Sequence, residues 1–321
     1  PEQKYEFVGP ERVAVNFWHM TRNVMAREKV LYEGHALAAV AATSQKIADE
    51  ALKLIKVDYE VLPHVIDVDE AMKPGAPLLF EDMITRGINP PPAKPSNISK
   101  YLEYNMGDLK AGFAAADEIV EASYTTKPVH QGYIEPHNAT AIWNANGKVT
   151  VWMSTQGIFT ARQQTAELLR IPVADVKVVP MEIGGGFGGK ISVYLPPIAA
   201  ALSKKSGRPV KVIMDRSAVF EATGPTPASY IRVKLGVTRD GKITAGDAYL
   251  AYEAGAFPGS PIGPGCMCIF SCYDFPNARV EGYDVCVNKP RSNAYRAPGS
   301  TNAAFAIGTV IDEVCQQLGI D

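Results

Sequence analysis

The sequence is poor in the features that would indicate a disulfide framework or a metal cluster. Its five cysteines lie in the last fifth of the 321 residues, and their number is odd, which argues against a paired set. A reducing compartment is therefore expected. Cys266, Cys268 and Cys272 lack the C-x-x-C spacing typical of zinc and iron–sulfur sites. They are predicted to be small apolar residues of the core rather than ligands.

Long apolar runs and an excess of basic charge are also missing. No apolar stretch reaches the roughly 18 residues that span a bilayer, and the first residues lack the apolar segment of a signal peptide. The formal net charge of −2 provides no basic surface for nucleic acid. We therefore predict a cytoplasmic protein that binds neither membrane nor nucleic acid. A composition that is 46% hydrophobic and 21% charged is typical of a globular protein, and the length suits two domains.

The most informative segment is the run Gly184-Gly185-Gly186-Phe187-Gly188-Gly189-Lys190, called the glycine loop below. It fits the dinucleotide pattern G-x-G-x-x-G, and it falls one residue short of a phosphate loop because Ile191 replaces the Ser or Thr. A strand is predicted before the loop and a helix after it, and Asp215 follows where a ribose-binding acid belongs. However, hairpins follow where further β-α-β units are needed. An NAD- or ATP-binding protein therefore stays an alternative.

The remaining patterns mix helices with antiparallel strands, which predicts an α+β fold. Hairpins are expected at Asn146-Gly147 and at Asp240-Gly241, and helices at 109–119, at 158–171 and from Pro196 to a stop at Gly207. A buried strand is expected at 209–215. Residues 29–60 are interpreted as a strand, a helix capped by Thr43 or Ser44, and a second strand, with the apolar helix positions on one face. We predict domains at 1–75 and 105–321, joined by an extended proline-rich connector at 76–104.

A resemblance to a known family emerges when the glycine loop is taken together with Ser154-Thr155-Gln156-Gly157. The two segments resemble the paired active-site loops of the molybdenum hydroxylases, the xanthine dehydrogenase and aldehyde oxidoreductase family. Further landmarks of that family stand in order along the chain: Leu31–His35, Tyr59–Pro63, Glu135–His137, Tyr252–Ala256, Asn288–Pro290 and Ala294–Gly299. On this order and spacing the chain is identified as a member of the family.

The resemblance implies both a fold and a cofactor. The fold would be the end of an α/β-hammerhead-like N-terminal domain, followed by the first molybdenum-cofactor-binding domain with mixed helices and antiparallel sheet. The cofactor would be Mo-molybdopterin, in its cytosine dinucleotide form. The enzyme would be an oxidoreductase that hydroxylates an electron-poor carbon with oxygen from water, while hydride passes to a sulfido or selenido ligand of molybdenum. Aldehyde- or purine-oxidising activity is the alternative within the family.

The resemblance also assigns roles to individual residues, with no direct protein ligand to the metal. Gln156, Phe187 and Arg296 would be catalytic. Backbone N–H groups at Gly186, Phe187 and Gly188 would donate to oxygens of the cofactor, as in other anion-binding nests, and the Gln156 amide would hydrogen-bond the molybdenum oxo group. Glu135 and His137 belong to a segment that the family uses structurally. The predicted cofactor-binding residues are Gln156, Gly185, Gly186, Phe187, Gly188, Arg296 and Ala297.

Substrate-side positions depart from two branches of the family. Ile191 stands where xanthine enzymes place an acidic residue, and Pro298 stands where they place an aromatic one, so both are assigned to the substrate pocket. Ala297 replaces the copper-binding cysteine of the branch that oxidises carbon monoxide. An N-heterocyclic acid such as nicotinate, or an aldehyde, fits this pattern better.

The general-base glutamate of the family belongs to a segment that this chain does not contain. Either the chain is a fragment of a longer molybdenum subunit, or a second molybdopterin-binding subunit supplies this residue. The second arrangement is that of nicotinate dehydrogenase, whose large molybdopterin subunit this chain resembles. FAD and [2Fe-2S] clusters are expected on further partner subunits, and a small molecule is the expected substrate. A non-catalytic assembly protein with the same fold is the remaining hypothesis.

Overall fold

A computed structural model describes residues 6–8 and 14–320. Strands in this part of the chain are β1 (Glu6–Val8), β2 (Ala14–Asn16), β3 (Ile98–Met106), β4 (Glu118–Thr126), β5 (Asn138–Trp143), β6 (Val149–Met153), β7 (Val176–Pro180), β8 (Val210–Ile213), β9 (Ser229–Val237), β10 (Ile243–Gly255) and β11 (Ala278–Cys286). The helices are α1 (Phe17–Val24), α2 (Gln45–Leu52), α3 (Val68–Met72), α4 (Leu109–Ala114), α5 (Ile158–Leu169), α6 (Pro196–Ser206), α7 (Arg216–Ala222), α8 (Ile262–Cys268) and α9 (Ser300–Leu318), with a 3-10 turn at Val173–Asp175.

Two compact units divide the chain, and each is built from two separate stretches of sequence. The first unit comprises the described residues up to 63 together with residues 131–224, and the second comprises residues 64–130 and 225–320. The predicted domain borders follow the sequence linearly and stay a prediction.

The first unit is organised around a four-stranded sheet in the order β7-β6-β5-β8. Strand β5 pairs antiparallel with both β6 and β8, whereas β6 and β7 run parallel. Helices α5 and α6 contribute fully buried alanines to the core formed with this sheet. Small side chains let the helices lie close to the strands. The β6–β7 pairing brings the ends of these two strands to one edge, and the segments after them carry Gln156 and the glycine loop.

Local sequence signals around the four-stranded sheet act as predicted, with one exception. The β5–β6 hairpin turns at Asn146-Gly147, where Gly147 has a φ of +83°. Helix α6 begins with Pro196 and ends at Gly207 in the left-handed conformation, as its N-terminal proline and C-terminal glycine predict. The strand predicted at 209–215 is present as β8, but the prediction that it is buried is wrong. Strand β8 lies at the sheet edge, so its side chains alternate between half-buried and exposed.

The N-terminal stretch departs further from its predicted strand-helix-strand pattern. The helix is present as α2, and the Ser44 hydroxyl accepts from the Ile47 N–H at its start. Within residues 29–42 and 56–63, however, the structure has no strand. The apolar face of α2 lies open, with Ile47 48% exposed and no buried residue in the helix. The physical reason is that no sheet forms from the flanking segments, so this face has no surface to pack against.

The second unit contains a five-stranded sheet in the order β3-β11-β10-β9-β4. Only the central β10–β11 pair is parallel among these neighbours. Leu250 and Tyr252 of β10, Ile231 of β9 and Val310 of α9 are fully buried in its core. The hairpin between β9 and β10 turns at Asp240-Gly241 as predicted. The helix predicted at 109–119 stops at Ala114, because Asp117 already donates its N–H to Val237 at the start of β4.

Mixed sheets with helices packed on them confirm the predicted α+β class. The helices of the described part of the chain are all too short or too polar to cross a membrane.

Truncation of Leu250 tests the core of the second unit. Leu250 is completely buried, and Leu→Ala at such a site destabilises by about 2–5 kcal/mol. Leu52→Ala is the matched control, because Leu52 is 43% exposed on α2 and should change the free energy of unfolding by under about 1 kcal/mol. Urea unfolding of both variants checks this, and equal losses would contradict the assigned core.

Candidate functional site

Gln156 and the glycine loop are joined directly in the first unit. The side-chain Oε1 of Gln156 accepts from the N–H of Gly188 at 2.8 Å and of Lys190 at 3.2 Å. The backbone N–H of Gln156 in turn donates to the Lys190 carbonyl at 3.0 Å, and the Thr155 hydroxyl donates to the same carbonyl at 3.1 Å. The structure therefore brings together the two segments that the sequence paired only by resemblance.

These contacts fix the orientation of the Gln156 amide. Backbone N–H groups can only donate, so the atom that faces both of them must be the oxygen. The amide nitrogen is left with its two donor hydrogens, and no residue in the described ranges accepts them. Gln156 is exposed, so this donor is open to a ligand.

The backbone of the glycine loop switches repeatedly between negative and positive φ. Gly185 and Gly188 have φ values of +93° and +106°, and Phe187 has a φ of +51°. A positive φ is uncommon for a residue with a Cβ and costs of order 1–3 kcal/mol. Phe187 adopts it with a side chain that is 51% exposed. Alternation of backbone handedness is the pattern that turns successive N–H groups toward a common anion.

Close contacts explain why residue 186 of the loop is a glycine. A Cβ on Gly186 would lie 2.5 Å from Oε1 of Gln156. A side chain at this position would therefore displace the amide that the loop holds. The bare backbone at Gly186 is what lets Gln156 reach Gly188 and Lys190.

Three consecutive N–H groups of the loop are open in the sense that they are unpaired in the described part of the chain, although Gly186 itself is buried. Those of Gly185, Gly186 and Phe187 have no hydrogen-bond partner among residues 6–8 and 14–320, whereas Gly188 already donates to Gln156. The role of Gly188 as a backbone donor to the cofactor stays a prediction. In this structure its N–H orients the Gln156 amide.

A buried ion pair lies behind the loop. Lys190 Nζ contacts Glu135 Oε2 at 2.6 Å, and the side-chain exposures are 0% for Lys190 and 27% for Glu135. Burial by itself would raise the pKa of Glu135, but hydrogen bonds from Lys190, Gly184 and Asn138 outweigh it and lower the pKa. Glu135 is thus held as a paired carboxylate, in keeping with the structural role that the resemblance gives it.

His137 is likewise part of the support. Its ring is buried and makes edge contacts with Tyr133 and Tyr194, at centroid distances of 5.5 and 5.1 Å. This packing makes the His137 ring part of the core next to the Glu135 segment.

Arg296, Ala297 and Pro298 belong to the second unit, where they form a turn before α9. Arg296 is exposed and has no hydrogen bond or ion pair to any residue that the structure describes, and Ala297 has a φ of +60°. The turn is fixed at its end, because the Tyr252 hydroxyl donates to the Gly299 carbonyl at 2.8 Å. A free guanidinium on a fixed turn suits the binding of an anionic oxygen.

Two further landmarks of the resemblance meet in the second unit. Lys289 Nζ contacts Oε2 of the buried Glu253 at 2.7 Å, and the Ala256 N–H donates to the Lys289 carbonyl at 2.8 Å. Burial raises the pKa of Glu253 although Lys289 opposes the shift. The segments around Tyr252–Ala256 and Asn288–Pro290 are therefore joined by charge and by backbone bonds.

The geometry disfavours the nucleotide-binding alternative. Phosphate sites of that kind place the glycines at a helix N-terminus, but here α6 begins only at Pro196, after an irregular segment. Asp215, considered as a ribose-binding acid, instead caps α7, with its Oδ1 accepting from the Ala218 N–H at 2.7 Å. The sheet that carries the loop is largely antiparallel, unlike a dinucleotide-binding sheet.

The donor set fits molybdopterin. Three open backbone N–H groups and a neutral amide can bind oxygen atoms of an anionic cofactor without changing their own protonation. Among the residues that the structure describes, no group of histidine, cysteine, aspartate or glutamate side chains is arranged to ligate a metal.

Comparison with known proteins establishes the family. Residues 91–321 match the model of the molybdopterin cofactor-binding domain, and residues 7–63 match that of the aldehyde oxidase and xanthine dehydrogenase a/b hammerhead domain. The chain therefore belongs to the molybdenum hydroxylase family.

Individual relatives come from different branches. The chain is 32% identical to a probable xanthine dehydrogenase subunit of Bacillus subtilis, over 93% of this chain and 39% of that protein. It is 28% identical to the nicotinate dehydrogenase large molybdopterin subunit of Eubacterium barkeri, over 92% of this chain and 67% of that subunit. The fold matches the CO dehydrogenase of Oligotropha carboxidovorans with a TM-score of 0.82 and 30% identity, over 93% of this chain and 38% of that one. The chain thus spans about two fifths of the first relative.

Sequence reasoning found the two loops but missed what supports them. Glu135 and Lys190 both stood in recognised segments, yet neither received a role toward the other. One signal was available: a lysine inside a run of glycines next to apolar residues needs a counter-charge if it is buried. The 55-residue separation of the pair hid the partner.

Gly186→Ala tests the contact that orients Gln156. Gly186 has no positive φ, and the three atoms nearest to the new Cβ all belong to the flexible Gln156 side chain. The free energy of unfolding should therefore change by less than about 1 kcal/mol. The amide should be displaced, which exposes the N–H groups of Gly188 and Lys190 to solvent. Amide hydrogen exchange should therefore be faster at these two positions.

Gly308→Ala is the matched control, because a Cβ on Gly308 in α9 would meet nothing within 4 Å. It should leave exchange at Gly188 and Lys190 unchanged. Wild-type protection of both amides in Gly186→Ala would contradict the assigned geometry.

The lowered pKa of Glu135 predicts a pH-dependent stability. The ion pair stabilises the fold above the ordinary glutamate pKa of 4.5 and loses this effect as pH falls through the lower pKa of the folded state. Wild type should therefore be more stable than Glu135→Gln at neutral pH, and the gap should close in acid. Denaturant unfolding of both proteins from neutral pH downward measures the gap, and a gap that stays constant would refute the assignment.

Proposed function

We propose that this chain forms one part of the molybdopterin site of a molybdenum hydroxylase. Gln156 presents its amide N–H to an oxygen atom of the molybdenum centre. The open N–H groups of Gly185, Gly186 and Phe187 bind oxygens of the same cofactor. The single observation that carries this proposal is the fixed Gln156 amide, whose oxygen is occupied by the glycine loop and whose nitrogen is open.

The chemistry divides between the cofactor and the protein. When bound, the molybdopterin centre supplies the redox chemistry that hydroxylates an electron-poor carbon with oxygen from water. Gln156 donates a hydrogen bond and exchanges no proton, because an amide does not titrate in this range. Arg296 offers a fork of donors to anionic oxygens. Phe187 contributes a half-exposed aromatic ring beside the donors.

Exposed apolar residues beside the loop favour an additional polypeptide at the site. Ile134 is 89% exposed, Ile183 is 43% exposed and Phe187 is 51% exposed. The first two flank a backbone contact, in which the Glu135 N–H donates to the Gly184 carbonyl at 3.1 Å. Apolar patches of this kind mark interaction surfaces. A second molybdopterin-binding subunit that brings the general-base glutamate fits this role.

A multi-subunit arrangement agrees with one of the relatives. The nicotinate dehydrogenase protein is by its name a large molybdopterin subunit, and this chain covers 67% of it. We assign iron–sulfur and FAD groups to further partner subunits, and the cytosine dinucleotide form to the pterin.

The proposed substrate is an N-heterocyclic acid such as nicotinate. Ile191 directly follows the glycine loop and is half-buried, and Pro298 is half-buried in the Arg296 turn. Neither can hydrogen-bond a purine through its side chain. Xanthine is the second candidate, because one relative at 32% identity is named as part of a probable xanthine dehydrogenase.

The substrate assignment is tested by the steady-state kcat/KM of the complex for nicotinate, xanthine and an aromatic aldehyde. We expect the highest value for nicotinate, and a preference for xanthine would reverse the assignment.

Gln156→Ala tests the proposed function in the purified complex that contains this chain. Removal of one preorganised donor lowers kcat by about 100-fold or more at sites of this kind. Molybdenum content, measured by elemental analysis, should stay near the wild-type value, because the three backbone donors remain. Gln317→Ala is the matched control, since Gln317 is exposed on α9, and it should keep wild-type turnover.

Two results would contradict the proposal. A wild-type complex without molybdenum would exclude the molybdopterin role. Unchanged turnover of Gln156→Ala at normal molybdenum content would favour a non-catalytic assembly protein with the same fold.

A further inference from the structure

One carboxylate oxygen connects both ends of the glycine loop. Oε2 of Glu135 accepts from the Gly184 N–H at 2.7 Å and from Lys190 Nζ at 2.6 Å. Gly184 is the first residue of the loop and Lys190 is the last. We call these three residues the carboxylate clamp.

Glu135 itself is held in place on two sides. Its Oε1 accepts from Asn138 Nδ2 at 3.1 Å. The preceding backbone is fixed by Arg216, whose guanidinium donates to the carbonyls of Tyr133 at 2.9 Å and Ile134 at 2.6 Å. These contacts fix the position of the Glu135 carboxylate. The carboxylate in turn restricts where the two ends of the glycine loop can lie.

Lys190 transmits this constraint to Gln156. Its N–H is one of the two donors to the Gln156 amide oxygen, and its carbonyl accepts from the Gln156 N–H. The Lys190 ammonium is fully buried, with Ser154 Oγ at 3.5 Å and the Tyr133 ring centroid at 5.0 Å as its other neighbours. Both of these neighbours are neutral, so they cannot replace the charge of Glu135.

We propose that Glu135 is a positioning residue of the molybdopterin site, and that its clamp sets the amide of Gln156 and the open N–H groups of the loop. This inference rests on the proposed function. Glu135 touches neither substrate nor cofactor in this account. It acts through Lys190 and Gly184.

Positioning must be separated from simple stabilisation of the fold. Loss of Glu135 alone leaves a buried ammonium unpaired, which destabilises strongly, whereas replacement of both charges by apolar side chains of similar volume is often neutral. The double variant Glu135→Leu/Lys190→Met should therefore recover the stability that Glu135→Gln loses. It cannot recover the clamp.

The experiment compares the single and double variants with wild type in the intact complex. Thermal unfolding reports stability, and the electron paramagnetic resonance spectrum of partly reduced enzyme reports the surroundings of the metal. We expect the double variant to melt like wild type, to give an altered spectrum and to turn over about tenfold or more slowly. Wild-type stability together with a wild-type spectrum and turnover would overturn the proposal.

Glu135→Asp covers the case in which the double variant does not fold. Aspartate keeps the charge opposite Lys190, but its shorter side chain cannot reach both Lys190 and Gly184. Turnover about tenfold lower at unchanged melting temperature supports the clamp, and unchanged turnover overturns it. Glu182→Gln is the matched control, because Glu182 is an exposed carboxylate near the loop with no partner in the described ranges.

The carboxylate clamp can be refuted while the proposed function still stands. Wild-type complex that contains molybdenum, together with clamp variants that behave like wild type, refutes only the clamp. Absence of molybdenum from the wild-type complex refutes the function on which the clamp depends.

Discussion

A lysine ammonium that is completely removed from water needs an opposite charge close by, and this need organises the first unit. Lys190 finds that charge in Glu135, 55 residues earlier in the chain. The pair connects the turn before β5 with the end of the glycine loop. Because the same glutamate oxygen also accepts from Gly184, both ends of a loop rich in conformational freedom are held at one point. The ion pair and the hydrogen bond from Gly184 restrict a backbone that its glycines would otherwise leave free to adopt many conformations.

The chemistry of the site follows from which groups this framework leaves open. The loop satisfies the oxygen of Gln156 with two backbone donors, so the amide nitrogen faces a ligand. Gly185, Gly186 and Phe187 keep their own N–H groups open. The charges of Lys190 and Glu135 behind the loop oppose each other, and the groups of the loop and of Gln156 that lack a partner are neutral donors. Such a surface can bind the oxygens of an anionic cofactor and leave proton transfer to other groups.

Short-range patterns in the sequence were sufficient for some elements of the fold, but they did not predict α1, α3, α7, α8 or α9. Asn146-Gly147 predicted a hairpin, and Pro196 with Gly207 bounded a helix, because these residues determine the local backbone. The paired loops around Gln156 were found by resemblance, but their contact was not predictable from spacing. The exposed face of α2 escaped prediction because amphipathic periodicity indicates a face that needs a partner, not whether one is present. The occupied N–H of Gly188 also depended on a side chain 32 residues away.

The amide nitrogen of Gln156 is the decisive atom of the proposed site, and a structure of the cofactor-loaded complex shows what it contacts. We expect an oxygen atom of the molybdenum centre at hydrogen-bond distance from that nitrogen, about 2.7–3.2 Å, with the Gln156 oxygen still facing Gly188 and Lys190. Cofactor density away from the glycine loop, or a Gln156 amide turned so that its nitrogen faces the loop, would contradict it.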